Sequence, residues 1–126
     1  MSLNVVVLCG RLARTPELKY TPTGVPFARF TLAVDRNMAA NSEAEQKVDW
    51  IPCIAWRNSA EFAGTFLSKG SRVAVEGRLQ IRQYEAEGQK RTATEVVCNR
   101  VDALETKKER EERETQNDSD MDREDS

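Results

Sequence analysis

The chain has no histidine at all, which removes the commonest general base and the commonest metal-binding ring together. Its six glycines are scattered instead of gathered into a phosphate-cradling loop, and no nucleophile elbow occurs. Glu85 and Glu87 flank a turn signal, where paired carboxylates serve to keep the turn in water. Catalysis therefore lacks a constellation, and neither a cofactor nor a metal is expected. Cysteine is sparse as well. Cys9, Cys53 and Cys98 are odd in number and widely spaced, which excludes a disulfide framework and a zinc spacing. Each lies inside an apolar, strand-like run and is expected as a small buried hydrophobe. No apolar run approaches the length that crosses a bilayer, and "MSLNVVVLCGRLAR" has too short an apolar stretch for a signal peptide. A soluble, cytoplasmic protein with no membrane partner is expected.

What the chain does have is an uneven distribution of charge over its 126 residues. Residues 1–104 carry 14 Lys and Arg against 11 Asp and Glu, whereas residues 105–126 carry 5 against 10. The length suits one modest core and a tail, so residues 1–104 are read as a domain that meets an anion and residues 105–126 as an acidic tail. The tail, "ETKKEREERETQNDSDMDREDS", has Met121 as its one hydrophobic residue. It supports at most a short charged helix at "KKEREERE" and is expected to be disordered.

The domain reads as strands. Residues 4–12, "NVVVLCGRL", are β-rich, with Gly10 placed for a bulge at a barrel corner. After turn signals at Pro16 and "TPTG", residues 25–35 alternate: Phe30, Leu32 and Val34 face one way, Arg29, Thr31 and Ala33 the other. Residues 38–46 read as a long hairpin loop. Residues 48–56 form the next strand, with Trp50, Ile54 and Trp56 on one parity. Pro52 shares that parity and requires an edge or a bulge. Residues 58–67 predict the one helix, with Asn58 as cap, Glu61 as its capping-box partner, an apolar stripe of Phe62, Phe66 and Leu67, and Gly70 as terminator. Residues 71–84 return to strand, with a second bulge candidate at Gly77, and "EAEG" turns the chain into a last strand over residues 91–102. Three strands, a helix and two strands predict an all-β fold with one helix, a five-stranded Greek-key barrel with extended β-hairpins, the OB-fold. One face of that barrel and its loops take oligonucleotides or oligosaccharides, and fold alone leaves the choice open.

The aromatic residues narrow it. Trp50, Trp56 and Tyr84 are interleaved with arginines on these strands. Bases stack on such rings at roughly 1–3 kcal/mol each with little regard to sequence, while Lys and Arg neutralise phosphates. Arg29, Arg36, Arg57, Arg72 and Arg78 are candidate phosphate contacts from face and charge. Phe27, Phe30, Phe62 and Phe66 are assigned to the core. An unpaired nucleic acid strand is the expected ligand.

The segments "NVVVLCGRLARTPELKYTPTG", "RFTLAVDR", "DWIPCIAWRNSAEFA", "FLSKGSRVAVEGRLQIRQY" and "TATEVVCNRV" resemble, in order and spacing, the bacterial single-stranded DNA-binding protein family. The resemblance implies an OB-fold that assembles as a homotetramer and wraps single-stranded DNA in replication, recombination and repair, in a nucleoid-associated setting. It places Trp50 and Trp56 at base-stacking positions, Tyr84 at another on the last hairpin, and Arg82 and Lys69 at basic positions on the strand path. Three departures accompany it. Met38 stands where well-studied members have tryptophan. Pro52 replaces a commonly polar or basic residue. The ending "DMDREDS" lacks the Pro-Phe tip through which family members dock replication and repair proteins, so either partner recruitment through the tail is reduced or the tail is cut short. The acidic tail is also expected to compete with DNA for the basic face. Two other readings remain open: a replication-restart accessory OB-fold acting mainly as a protein scaffold, and an RNA-binding barrel.

Overall fold

A computed structural model describes residues 1–36, 47–105, 108–109, 111–112 and 115–116. The loop expected over residues 38–46, Met38 included, lies outside them, as does most of the tail. The elements run β1 (Val6–Leu12), β2 (Glu17–Tyr20), β3 (Pro26–Asp35), β4 (Val48–Trp56), α1 (Asn58–Phe66), β5 (Arg72–Ala86) and β6 (Gln89–Ala103). Five of the strands form a ring in the order β1-β5-β6-β4-β3, closed where Arg11 and Leu12 of β1 pair with Ala33 and Leu32 of β3. The β4–β6 pair is parallel and the others antiparallel. This is the expected OB barrel.

β2 is a strand the sequence did not announce. It has four residues between Pro16 and Pro22, too few for alternation to register, and among the described residues it pairs only with β3.

Alternation decides what faces inward. Leu12 of β1, Ala28, Phe30 and Leu32 of β3, Cys53 and Ala55 of β4, Val73 and Val75 of β5, and Val96, Cys98 and Val101 of β6 fill the ring. Helix α1 packs against β2, β3, β4 and β6. Ala60 and Ala63 are fully buried, small enough to let the helix backbone approach, and Leu67 follows them into the core.

Several local expectations are corrected. Asn58 does not cap α1: it is the first helical residue, and Arg57, at φ 57°, occupies the cap position with no side-chain bond. The chain turns so sharply out of β4 that the cap falls one residue early. Gly70 lies beyond the actual C-cap, Leu67, in the turn into β5. Phe66 is exposed, because Ala63 and Leu67 hold the buried stripe. Cys9 is exposed too, since its parity on β1 points outward.

The two strand glycines part company. At Gly10 the β1–β5 register runs on unbroken. Glycine is needed there because a Cβ would strike the Ala33 carbonyl oxygen, where β3 closes the ring. At Gly77 the register does shift, Glu76 opposing Arg100 and Gly77 opposing Cys98, so that Asn99 of β6 is the bulged residue. The β5–β6 hairpin is turned by Glu87 and Gly88, both at positive φ (55° and 76°), the signature of a two-residue type I′ turn.

A Cβ at Gly77 would run into the Val97 carbonyl. Gly77→Ala is expected to destabilise the domain by about 1–3 kcal/mol through overpacking, read as a lower urea midpoint at constant slope.

Candidate nucleic-acid interface

With even residues of β3 and odd residues of β4 and β5 turned inward, the opposite parity makes one outward face. Register then sets the neighbours: Phe27 lies beside Trp56, Arg29 beside Ile54, Thr31 beside Pro52 and Ala33 beside Trp50. Across the β5–β6 ladder, Arg78 faces Val97, Gln80 faces Glu95, and Tyr84 faces Arg91. Trp50 is 63% exposed, Trp56 38% and Tyr84 40%. Large rings left in water on one face are unusual for a core and suited to a flat ligand. Trp50 and Trp56 are six positions apart on β4, about 20 Å at strand rise. The strand therefore offers two separate platforms.

Tyr84 stands on a projecting ribbon. β1 covers β5 only as far as Gly77 and β4 covers β6 only from Val96 onward, while the β5–β6 ladder continues out to Ala86 and Gln89. The Arg82 guanidinium carbon lies 5.4 Å from the Tyr84 ring centroid, a cation–π contact that fixes both groups. Pro52 stands just before the Cys53–Ala55 segment that pairs with β6, so its missing N–H meets an open edge there, as expected.

The cations are differently placed. Arg29 and Arg82 both reach the buried Glu95 carboxylate, Arg29 through Nη1 to Oε2 at 2.9 Å and Arg82 through Nε to Oε1 at 3.5 Å. Arg78 donates from Nη1 to the Gln80 side-chain oxygen at 3.0 Å on the same strand. Arg36 is held at the base of the β3–β4 hairpin by Asp49, with Nε at 3.1 Å and Nη2 at 2.8 Å. A phosphate would compete with that fork. Arg57 sits at the β4–α1 corner, its N–H bonded to the Pro26 carbonyl. Lys69 is in the α1–β5 turn, where its N–H donates to Thr15 Oγ1 at 3.0 Å. Arg72 is brought elsewhere: it opposes Arg11 of β1 and pairs with Glu109 at 3.5 Å. It lies twelve positions from Tyr84 along β5, about 40 Å at strand rise.

Three residues escaped the sequence reading. Phe27 is not core: its ring packs 5.4 Å from that of Trp56, tilted 35°, on the outward face. Its parity matches Arg29 and Thr31, a signal that was present. Glu95 was hidden because a single acid in "TATEVV" says nothing of who meets it. Arg14 lines a surface pocket of about 350 Å³ with Thr15, Arg29, Pro52 and Glu95, a meeting only the fold creates. Among the described residues there is no group of three or more His, Cys, Asp or Glu side chains that could hold a metal ion. Nor is any helix among them long and apolar enough to cross a membrane.

Comparison with known proteins bears on this face. Residues 3–104 match the model of the "Single-strand binding protein family". The chain is 50% identical over 106 residues to "Single-stranded DNA-binding protein 3" of Listeria innocua, covering 83% of this chain and 66% of that protein. It is 50% identical over 106 residues to "Single-stranded DNA-binding protein A" of Bacillus subtilis (83% and 61%) and 49% identical over 104 to "Single-stranded DNA-binding protein" of Halalkalibacterium halodurans (82% and 61%). The chain thus spans a little under two thirds of the length of these curated relatives.

The Arg36 guanidinium, by hydrogen bond above all, holds the Asp49 carboxyl below the usual aspartate range. A depressed carboxylate gives its stabilisation above its unfolded value and loses it as pH falls through the folded one. In a carbon-detected NMR titration Asp49 is expected to protonate at lower pH than an ordinary aspartate, and Arg36→Ala to move it back up. An unmoved titration in the variant would remove Arg36 as the cause.

Proposed function

The chain belongs to the single-strand binding protein family, and from that premise we propose that it binds, wraps and protects single-stranded DNA with little sequence preference, in replication, recombination and repair. The observation that carries the reading is the outward face itself, with Trp50, Trp56 and Tyr84 exposed among arginines. Bases stack on these three rings, with Phe27 extending the Trp56 platform. Arg29, Arg78 and Arg82 contact phosphates from the same face, Lys69 and Arg57 from its margins, and Arg36 where it can leave Asp49. Arg72 is the weakest member of the set, being remote from the rings. Binding is stoichiometric and needs neither turnover nor cofactor. The DNA-binding domain is residues 1–104, with residues 105–126 as an acidic tail that competes for the basic face, in a cytoplasmic, nucleoid-associated protein.

The same reading makes the protein a homo-oligomer, a homotetramer by its family, and β1 is the strand that supports it. Among the described residues its second edge pairs with β3 only at Arg11 and Leu12, leaving Val6–Gly10 without a partner strand on that side. Leu3, Val5 and Val7 are exposed beside that edge, at 92%, 60% and 66%. An open edge flanked by apolar side chains favours pairing with a second copy about a twofold axis.

Two measurements test this. In a tryptophan-fluorescence titration, a long oligo-pyrimidine DNA should quench strongly, duplex poorly, and affinity should fall by about 0.7 log units per phosphate contact for each tenfold rise in salt. Trp50→Ala and Trp56→Ala should each cost about 1–3 kcal/mol of binding. Negligible quenching with no shift in a mobility assay would favour the protein scaffold, and equal or tighter binding of matched RNA would favour the RNA-binding barrel. For the assembly, Val7→Lys should lower the mass seen by light scattering. An unchanged mass would take β1 out of the interface.

A further inference from the structure

Glu95 is an anomaly on a surface meant for phosphates. It is an acid at the centre of the outward face, only 4% exposed. Left alone it would be costly to bury and would repel a polyanion. It is not alone: each carboxylate oxygen holds a different arginine, Oε2 the Nη1 of Arg29 and Oε1 the Nε of Arg82. The two come from opposite directions. Arg82 is on β5, the strand beside β6, whereas Arg29 is on β3 and must reach across β4. Pro52 of β4 lines the pocket shared by Arg29 and Glu95, and its short ring takes less of that space than a longer side chain would.

The donors left over matter. Arg29 spends one N–H in a hydrogen bond to Glu95 and Arg82 is held by an ion pair at 3.5 Å, so both guanidiniums keep N–H groups for a ligand. Their side chains are 51% and 44% exposed, while that of Glu95 is 5%. A phosphate can therefore reach the arginines but not the acid. Arg82 is fixed a second time by the Tyr84 ring.

We propose that Glu95 is a positioning residue for the nucleic-acid face, its buried carboxylate holding Arg29 and Arg82 as a preset pair of phosphate donors. This rests on the reading of that face as a single-stranded DNA surface. Two long side chains ordered before the ligand arrives need not be ordered on binding, and that lowers the entropic cost of association.

The test is Glu95→Gln in the full chain, measured by DNA titration over a range of salt and paired with the same change in an Arg29→Ala/Arg82→Ala background. Thermal melting checks the fold. The expected result is binding weakened by about tenfold, the ordering cost of roughly two long side chains. The salt slope should be unchanged, because the same phosphates are neutralised. In the double-alanine background E95Q should have no further effect. An equal loss in both backgrounds would make Glu95 merely structural, and tighter binding with a steeper slope would make it a competitor of phosphate; either overturns the proposal. Glu95→Asp keeps the charge but withdraws it by one methylene, so it carries the same expectation should E95Q fail to fold, and full affinity in E95D overturns the proposal. If the unaltered protein binds no single-stranded DNA, the functional reading falls and this one with it. If it binds normally and only the variants are silent, the positioning role alone is lost.

Discussion

The outward face depends on the closure of the ring at Arg11 and Leu12. β1 runs along β5 for most of its length and then transfers its free edge to Ala33 and Leu32 of β3. The transfer works because Gly10 presents no side chain to the Ala33 carbonyl. Once the ring is shut, every strand has an inside and an outside, and the period of two leaves no freedom in which residues take which. Leu32 and Val73 are enclosed, and Trp50, Trp56, Arg29 and Arg82 are turned to water. A slip of one residue would exchange the two sets.

The cations of this face are mostly engaged before any ligand arrives. Arg36 has Asp49, Arg29 and Arg82 share Glu95, and Arg78 leans on Gln80. The exposed Arg36–Asp49 pair contributes little to stability, whereas Glu95 is buried and depends on its two arginines. What all of these contacts do is restrict where a guanidinium points, and under the proposed function that prepares the face for a flexible polyanion. Under that proposal, Trp50, Trp56 and Tyr84 together with these held arginines would make a surface shaped in advance.

The architecture was legible because it rests on alternation and turn chemistry. The strand parity of Phe30, Leu32 and Val34, the break at Gly77 and the "EAEG" turn each reappear in place, and the face of Trp50, Trp56 and Tyr84 follows from the same period. What was not legible depended on encounters between distant segments. Glu95 acquires its meaning from β3 and β5, and Gly10 from a carbonyl of β3 where local reasoning expected a bulge. Cys9 and Phe66 were assigned to the core on hydrophobicity, yet parity on β1 and the smaller Ala60 and Ala63 on α1 leave both outside. β2 was too short to show a period. Arg57 could not be read from propensity, since a positive φ at an arginine is imposed by the turn out of β4.

The strand order has a bearing on how the molecule is made. β6 comes last along the chain among the strands, yet sits between β4 and β5 and supplies Val96, Cys98 and Val101 to the core. A polypeptide leaving the ribosome from its N-terminus can pair β3 with β4 and β1 with β5 early, but the interior stays wet until β6 arrives to bridge them. Non-local closure of this kind is slow compared with helix formation, and the waiting edges of β4 and β5 are open to wrong partners. Substitutions in β6 should therefore be felt first in the yield of correctly folded protein during synthesis, before any deficit shows in the finished barrel.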